Sequence, residues 1–110
     1  MSEEIGVEAT TKPGIQEENG ILIVSGEEYV LRVTSALSNP TRLKILKYVS
    51  QKEADVGEIA DHIKQSKANA SAQIKKLEEA GLIKTFYRPG QRGVKKSCHS
   101  KIREIRIKLL

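Results

Sequence analysis

The most constraining feature of the sequence is a pair of short amphipathic segments that directly precedes a strand–turn–strand pattern. Asp55 and Glu58 have the spacing of a capping box, in which each side chain binds a backbone amide left unpaired at the start of a helix. The apolar residues that follow predict a short helix, and residues 66–80 predict a second helix with a polar outer face. Gly81 stands where the left-handed end of a helix favours glycine.

Residues 82–98 predict a β-hairpin with a basic tip. Two runs rich in β-branched and aromatic residues flank a turn-forming segment of glycine, proline and arginine at residues 88–93. A helix pair followed by such a hairpin is the order of a winged helix-turn-helix, whose second helix lies free on one side. We therefore predict an α+β fold with a core of three to four helices and a C-terminal β-hairpin wing. The helix-turn-helix would span residues 55–80 and the wing residues 82–98.

Two further helices are predicted before this pair. Ser25 and Glu28 repeat the capping spacing, so the first helix should begin near residue 26. Asn39 and Pro40 are a typical helix cap followed by proline at the first helical position, which predicts the start of the second helix. The inner face of this second helix is expected to carry Leu43, Leu46 and Val49, with Ile45 beside them.

The two ends of the chain are less regular. Residues 1–20 contain five glutamates against one lysine and few apolar residues, which predicts a flexible acidic arm. Residues 21–110 would then form the single folded domain. Ile21 to Val24 fits a short strand or an arm docked on the core. The last residues fit either a strand or a helix, and their isoleucine content favours the strand.

Basic residues are concentrated near the C-terminus. The chain has 19 Lys and Arg against 14 Asp and Glu, and from Lys84 onward nine basic residues accompany one acidic residue, Glu104. Such a concentration predicts a surface that binds phosphates.

Several classes of function are excluded by what the sequence lacks. It has no nucleophile elbow, no glycine-rich phosphate loop and no metal-ligand spacing, so we predict a protein that is not an enzyme and needs no cofactor. It has neither a signal peptide nor a membrane span, which predicts a cytoplasmic protein associated with the nucleoid. Cys98, the single cysteine, is expected to be a buried small hydrophobe rather than a redox switch.

Two motifs carry a resemblance to a known family. Residues 36–46, ALSNPTRLKIL, and residues 74–83, IKKLEEAGLI, resemble the ArsR-type winged helix-turn-helix repressors, and the similarity runs from about Tyr29 to Cys98. Both motifs also occur in neighbouring winged-helix families such as MarR. The resemblance implies dimeric binding of operator DNA.

The chain departs from the family pattern at two places. Lys64 and Gln65 replace the usual glycine and apolar residue in the turn between the third and fourth helices, which predicts a longer or looser turn. The family's metal sensors have two cysteines where this chain has Asp55 and Gly57, and after His99 only Glu104 could serve their alternative site. The resemblance thus implies an archaeal-like member that does not sense metals.

The polar face of the predicted recognition helix, residues 66–80, is the candidate DNA-reading surface. Asn69 and Gln73 are the predicted base readers, because a carboxamide can make two hydrogen bonds with adenine. Ser66 and Ser71 suit phosphates, and residues 88–93 of the wing suit the DNA backbone or the minor groove. The full set of candidate DNA-binding residues is Ser66, Lys67, Ala68, Asn69, Ser71, Gln73, Lys76, Arg88, Arg92 and Lys95. Among the other polar residues, Arg42 is expected to pair with a carboxylate and His62 to lie on the surface.

The predicted function is sequence-specific binding of double-stranded DNA as a transcriptional regulator, with no membrane partner. A winged-helix module that binds RNA or a protein of the transcription machinery is the alternative. We expect a homodimer, because two recognition helices about 34 Å apart match successive major grooves. Its interface is predicted among three apolar segments that the helical core leaves unused, namely the first helix, Ile21 to Val24 and the C-terminal isoleucine-rich segment.

Overall fold

The computed structural model describes residues 12–109. Within this range the chain forms four helices and six strands. In chain order these are β1 (Gly14–Glu18), β2 (Ile21–Ser25), α1 (Glu27–Leu37), α2 (Pro40–Gln51), β3 (Ala54–Asp55), α3 (Val56–Ile63), α4 (Lys67–Glu79), β4 (Lys84–Gly90), β5 (Gly93–His99) and β6 (Glu104–Lys108).

The helix pair α3 and α4 has the start and end signals that the sequence predicts. Asp55 Oδ1 accepts from the Glu58 amide at 2.9 Å and Glu58 Oε1 accepts from the Asp55 amide at 3.1 Å, which confirms the capping box. Gly81, just past α4, has a φ of +76°, as a left-handed helix end requires. A side chain there would also collide with Ile15, since an added Cβ would lie 2.9 Å from its Cγ2 atom.

The turn between α3 and α4 is tight, contrary to the expectation of a longer or looser one. It consists of residues 64–66, and Lys64 adopts the left-handed conformation at φ 58° and ψ 47°. Its amide and that of Gln65 bind carbonyls at the end of α3, which accounts for the stability of this conformation without glycine. A left-handed lysine costs about 1 kcal/mol, a strain that such hydrogen bonds can offset.

The two N-terminal helices begin close to the predicted positions, α1 at Glu27 and α2 at Pro40. Asn39 caps α2 by accepting from the Arg42 amide at 3.0 Å, as predicted. The predicted cap of α1 at Ser25 is wrong. Ser25 is the last residue of β2 and is held in that sheet, so Gly26 becomes the N-cap of α1 with a φ of +95° and no side-chain cap bond.

The inner face of α2 is the predicted one except at Leu43, since Leu46 also packs against the core. Ile45 and Val49 are fully buried, whereas Leu43, which we expected inside, is 39% exposed. Along α4 the buried residues are Ala70, Ile74 and Leu77, which leaves the predicted polar face outward.

Three strands from the two ends of the described chain form one sheet, the core sheet (β1, β2 and β6). Its central strand β2 is antiparallel to β1 and parallel to β6, with Leu22 paired to Glu17 on one side and to Ile105 on the other. Leu22 and Val24 are buried against the helices. Of the two alternatives for residues 21–24, the chain forms the strand, and the strand favoured at the C-terminus is confirmed.

The core sheet corrects two expectations about the N-terminus. Residues 14–18 are the strand β1, not part of a flexible arm, because pairing with β2 satisfies their backbone groups. The rest of the predicted arm, residues 1–11, lies outside the described residues. Leu22 and Val24 belong to the core, so the inward face of β2 is not an unused apolar surface.

The second three-stranded sheet, the wing sheet (β3, β5 and β4), is antiparallel throughout. In its hairpin the paired residues run from Lys84 with His99 to Gly90 with Gly93. The two-residue β3 pairs with Ser97 and Cys98 at the base. The order of α2, α3, α4 and a projecting hairpin confirms the predicted winged helix-turn-helix.

Candidate nucleic-acid interface

The outward side of α4 divides into a ridge and two flanks. Opposite the buried residues lie Ala68, Ala72 and Lys75, which are spaced by three and four residues and are all exposed. One flank, nearer α1 and α2, carries Asn69, Gln73 and Lys76. The other flank, nearer the wing, carries Lys67, Ser71 and Glu78.

On the flank near α2, Gln73 is held by Arg42. The Arg42 Nη1 atom donates to Gln73 Oε1 at 2.7 Å, and Gln73 is half-buried while its neighbours on the ridge are exposed. The expectation that Arg42 pairs with a carboxylate is wrong. Its other donors bind the carbonyl oxygens of Ala36 at 2.8 Å and Ser35 at 3.0 Å, because the last turn of α1 leaves those acceptors available.

On the same flank, Asn69 and Lys76 are exposed. Lys76 lines a cleft between α1 and α4 together with Arg32 and Glu79. The charge of Lys76 therefore lies beside α1, at the C-terminal end of the recognition helix.

The first turn of α4 places its polar residues outward. Ser66 is the N-cap, and its hydroxyl oxygen accepts from the Asn69 amide at 3.1 Å. Lys67 borders a cleft that is also lined by Asp55, Lys95 and Lys96. The tertiary structure thus brings the start of α4 and the base of the wing together around one basic cleft.

Glu78, in the C-terminal half of α4, contacts both strands of the wing hairpin. It accepts a hydrogen bond from the Thr85 hydroxyl and forms an ion pair with Lys96 at 3.9 Å. These contacts set the position of the hairpin relative to the recognition helix.

The two arginines predicted for the wing have different surroundings. Arg88 forms a two-bond ion pair with Glu53, with Nη2 to Oε1 at 2.8 Å, and its guanidinium lies 4.9 Å from the centre of the Phe86 ring. The hydrogen bond from Arg88 lowers the pKa of Glu53 below its usual value. Arg92, at the tip, is exposed and takes part in none of the ion pairs within residues 12–109.

Lys95 faces the start of α3. Its ammonium lies 3.7 Å from Asp55 Oδ2, so the capping carboxylate and this lysine form an ion pair at the surface. The backbone amide of Glu58 is the main cause that lowers the pKa of Asp55, and the charge of Lys95 acts in the same direction.

Cys98 and His62 lie away from this surface chemistry. Cys98 is fully buried, as expected, and burial raises the pKa of its thiol to about 11. His62 is exposed, as expected, and its ring stacks on Tyr48 with the ring centres 3.9 Å apart.

No group of three metal-ligating side chains occurs within residues 12–109. No helix in that range is long and apolar enough to cross a membrane.

Sequence reasoning missed three residues of this surface. Lys75 could have been found, because it lies three residues after Ala72 and seven after Ala68 on the same ridge. Arg42 and Glu53 gave no such signal, because they meet their partners across 31 and 35 residues of chain.

Comparisons with known proteins match this part of the molecule. The model of the bacterial regulatory protein arsR family matches residues 39–85. An uncharacterised helix-turn-helix-type transcriptional regulator of Methanocaldococcus jannaschii is 34% identical over 56 residues, which are 51% of this chain and 59% of that protein.

Two solved structures from Mycobacterium bovis are similar in fold and sequence. One is the solution structure of a homodimeric winged helix-turn-helix DNA-binding domain of a possible ArsR-family regulator, with 31% identity, a TM-score of 0.59, and coverage of 67% of this chain and 65% of that one. The other is a crystal structure of a possible transcriptional regulatory protein, with the same identity and TM-score and coverage of 67% and 75%. The chain therefore spans less than two thirds of the Methanocaldococcus protein and of the first Mycobacterium structure.

Proposed function

Because this chain belongs to the ArsR family of winged helix-turn-helix transcriptional regulators, we propose that it binds double-stranded DNA with sequence preference and regulates transcription. In this proposal α4 lies in the major groove, and the wing tip at residues 88–93 contacts the backbone or the minor groove. The family consists of regulators rather than enzymes, and no catalytic step is assigned to any residue.

The observation that carries the proposal is the uncovered polar surface of α4 beside a basic hairpin. Its ridge and flanks offer small apolar groups, amides and lysines, which are the groups that read base edges and phosphates in a major groove. A polar outward side alone is usual for a surface helix, and the basic hairpin beside it is what distinguishes this one.

We assign roles to the candidate residues by their surroundings. Asn69 and Gln73 present carboxamides for base edges, and the Ala68 methyl can contact a thymine methyl. Positively charged or hydroxyl groups for phosphates come from Ser66, Lys67, Ser71, Lys76, Arg88, Arg92 and Lys95. To these we add Lys75, which lies on the ridge of α4.

Among the phosphate candidates, Arg92 should be the cation most available to a DNA phosphate. Arg88 and Lys95 already face Glu53 and Asp55, so a phosphate must share each cation with a carboxylate. Arg92 is exposed at the tip, where a phosphate meets no competing carboxylate among the described ion pairs.

We further propose that the protein acts as a homodimer. The Mycobacterium bovis domain is homodimeric, and two-fold symmetry lets two recognition helices enter successive major grooves about 34 Å apart. Of the apolar segments predicted for the interface, α1 exposes Leu31 by 59%, and the C-terminal segment exposes Ile107 by 37% and Leu109 by 81%. These side chains are the candidates for burial between two copies.

We also propose that this archaeal-like member does not respond to metals through the sites of its metal-sensing relatives. Asp55 is engaged as the N-cap of α3 and as the partner of Lys95, and Gly57 has no side chain to offer a ligand. The similarity to a Methanocaldococcus protein supports the archaeal affinity.

The proposed function is tested by selecting bound duplexes from a randomised DNA library at fixed salt. We expect the wild type to enrich a two-fold symmetric sequence. Replacing Asn69 and Gln73 by alanine should relax the enriched sequence, whereas the matched control Gln51→Ala, at the exposed end of α2, should leave it unchanged.

Competition at the same salt distinguishes the alternative. Duplex DNA, duplex RNA and single-stranded RNA are offered together to the wild type. Preferential binding to either RNA, or failure to enrich any DNA sequence, would overturn the proposal.

A further inference from the structure

We propose that Arg42 is a positioning residue that determines base specificity by fixing the direction of the Gln73 carboxamide. This inference rests on the proposed DNA-binding function and adds a residue of α2, outside the recognition helix, to the reading of sequence.

The Arg42 guanidinium is held in place by two hydrogen bonds to α1. Its Nε atom donates to the Ala36 carbonyl at 2.8 Å and its Nη2 atom to the Ser35 carbonyl at 3.0 Å. Both acceptors belong to the last turn of α1, where no further turn of the helix supplies amides; the Ser35 oxygen also accepts from the amide and hydroxyl of Ser38. Two bonds on one planar group fix the plane of the guanidinium, so the remaining Nη1 atom points in a set direction.

That direction leads to Gln73. The Nη1 atom lies 2.7 Å from Gln73 Oε1, which is the length of a charge-assisted hydrogen bond. A guanidinium has only donors, so the amide oxygen must face Arg42 and the amide nitrogen must face away. Without Arg42 a glutamine amide could turn over and exchange the two ends.

A fixed amide limits which base edges it can match. The outward Nε2 group offers donors, and adenine N7, guanine N7 and O6, and thymine O4 are acceptors in the major groove. The Oε1 atom is engaged by Arg42, so the donors of Nε2 are the groups of this amide that face the bases. Cytosine presents a donor in the major groove, its N4 amine, and an amide held with its donors outward opposes it.

Gln73 is the one base-reading candidate on α4 to which such a restraint applies in the described residues. Asn69 is exposed, and its side chain takes part in none of the hydrogen bonds found within residues 12–109. We therefore expect a sharper base preference where Gln73 contacts DNA than where Asn69 does.

The inference is tested by repeating the library selection with four single variants and one double variant. Gln73→Ala first identifies the base pair that Gln73 reads, as the position that loses preference. Arg42→Met should reduce discrimination against cytosine at that same position from about tenfold to less than about twofold, with the other positions unchanged. Adding Arg42→Met to Gln73→Ala should change nothing more, because the two residues act through one contact.

Gln73→Glu supplies a variant with the opposite chemistry. A carboxylate beside Arg42 only accepts hydrogen bonds, so the preference at this position should move towards cytosine. Arg42→Lys keeps the charge but cannot bind three acceptors in one plane, and it should restore only part of the discrimination.

Circular dichroism and thermal melting of each variant establish that it is folded at the temperature of the selection. A folded Arg42→Met protein that still rejects cytosine at this position would overturn the inference, and so would a uniform loss of preference at all positions. Either result leaves the proposed DNA binding intact, whereas a wild type with no sequence preference overturns both.

Discussion

The two three-stranded sheets of this protein differ in what lies against them. The core sheet packs one face on the helices, and its residues Leu22 and Val24 are 1% and 0% exposed. The wing sheet is buried only at its base, where Cys98 lies, while Tyr87 and Val94 farther along the hairpin are 70% and 68% exposed. The wing hairpin pairs seven residues of β4 with seven of β5, more than the five pairs between neighbouring strands of the core sheet, so pairing alone does not decide which sheet stabilises the fold.

This difference implies that the free energy of unfolding depends on the core sheet, whereas the outer half of the wing contributes little to it. Apolar burial is the main favourable term in folding, and the wing tip buries almost nothing. Changes in the core sheet should therefore affect stability, and changes at the wing tip should affect binding.

The largest expected effect is that of Leu22→Ala. Removing this buried side chain from the centre of the core sheet should lower the free energy of unfolding by about 2–5 kcal/mol, because a cavity remains among the helices. Denaturation in urea measures the change. Val94→Ala on the exposed part of the wing is the matched control and should alter stability by less than about 0.5 kcal/mol. Equal losses would contradict the division between the sheets.

Cys98 at the base of the wing is buried as fully as the residues of the core sheet, so its thiol should be unreactive in the folded protein. Burial raises the pKa of the Cys98 thiol from 9.0 to about 11, so the reactive thiolate at pH 8 should be about 100-fold scarcer in the folded protein than in the unfolded chain. Reaction with a disulfide reagent should therefore be at least about 100-fold slower without denaturant than with it, because burial also blocks access to the sulfur. Equal rates would show that the base of the wing opens readily.

A third prediction concerns Asp55, which joins the wing sheet to α3. Its pKa in the folded protein lies below the ordinary 3.8, chiefly because the carboxylate accepts from the Glu58 amide. The stabilisation is therefore complete above pH 3.8 and is lost as the pH falls through the lower, folded value.

Two variants separate the capping contact from its titration. Asp55→Asn keeps an oxygen for the cap but cannot titrate, so its unfolding free energy should fall less than that of the wild type between pH 5 and 2. Asp55→Ala should cost about 1 kcal/mol at neutral pH, since it removes the cap altogether. Parallel pH profiles for wild type and Asp55→Asn would disprove this assignment.

The smallest expected effect on stability is that of Arg92→Ala at the wing tip. The free energy of unfolding should change by less than about 0.5 kcal/mol, while affinity should fall by a similar factor for all duplexes. The slope of log affinity against log salt should decrease by about 1, as for one lost phosphate contact. Lys47→Ala, an exposed charge on α2, serves as the control and should leave the slope unchanged.

Local signals in the sequence predicted most of the helices and the wing. The capping box of Asp55 and Glu58, the cap at Asn39 and the left-handed Gly81 depend on neighbours within a few residues, so their chemistry is legible without the fold. The cap predicted at Ser25 is wrong because local spacing does not show strand pairing with distant residues. Ser25 pairs with Lys108 and stays in β2.

The sequence predicted only part of the candidate site. The polar positions of α4 follow from helical spacing, since its apolar residues identify the inward side. The restraint on Gln73, the ion pair of Arg88 and the cleft shared by Lys67 and Lys95 each join elements far apart in the chain. No spacing rule predicts such pairs, because their distances depend on how the helices and the wing pack together.

Local signals in the sequence specify the four helices and the wing hairpin in their order, because helix caps, apolar periodicity and turn residues act over a few positions; the two-residue strand β3 has no such signal. Only the tertiary structure decided that β1 and β6 flank β2, that Arg42 directs Gln73, and that Arg88 is shared with Glu53. These contacts depend on side chains brought together across the chain by burial of a common core, a process in which local propensity has no part.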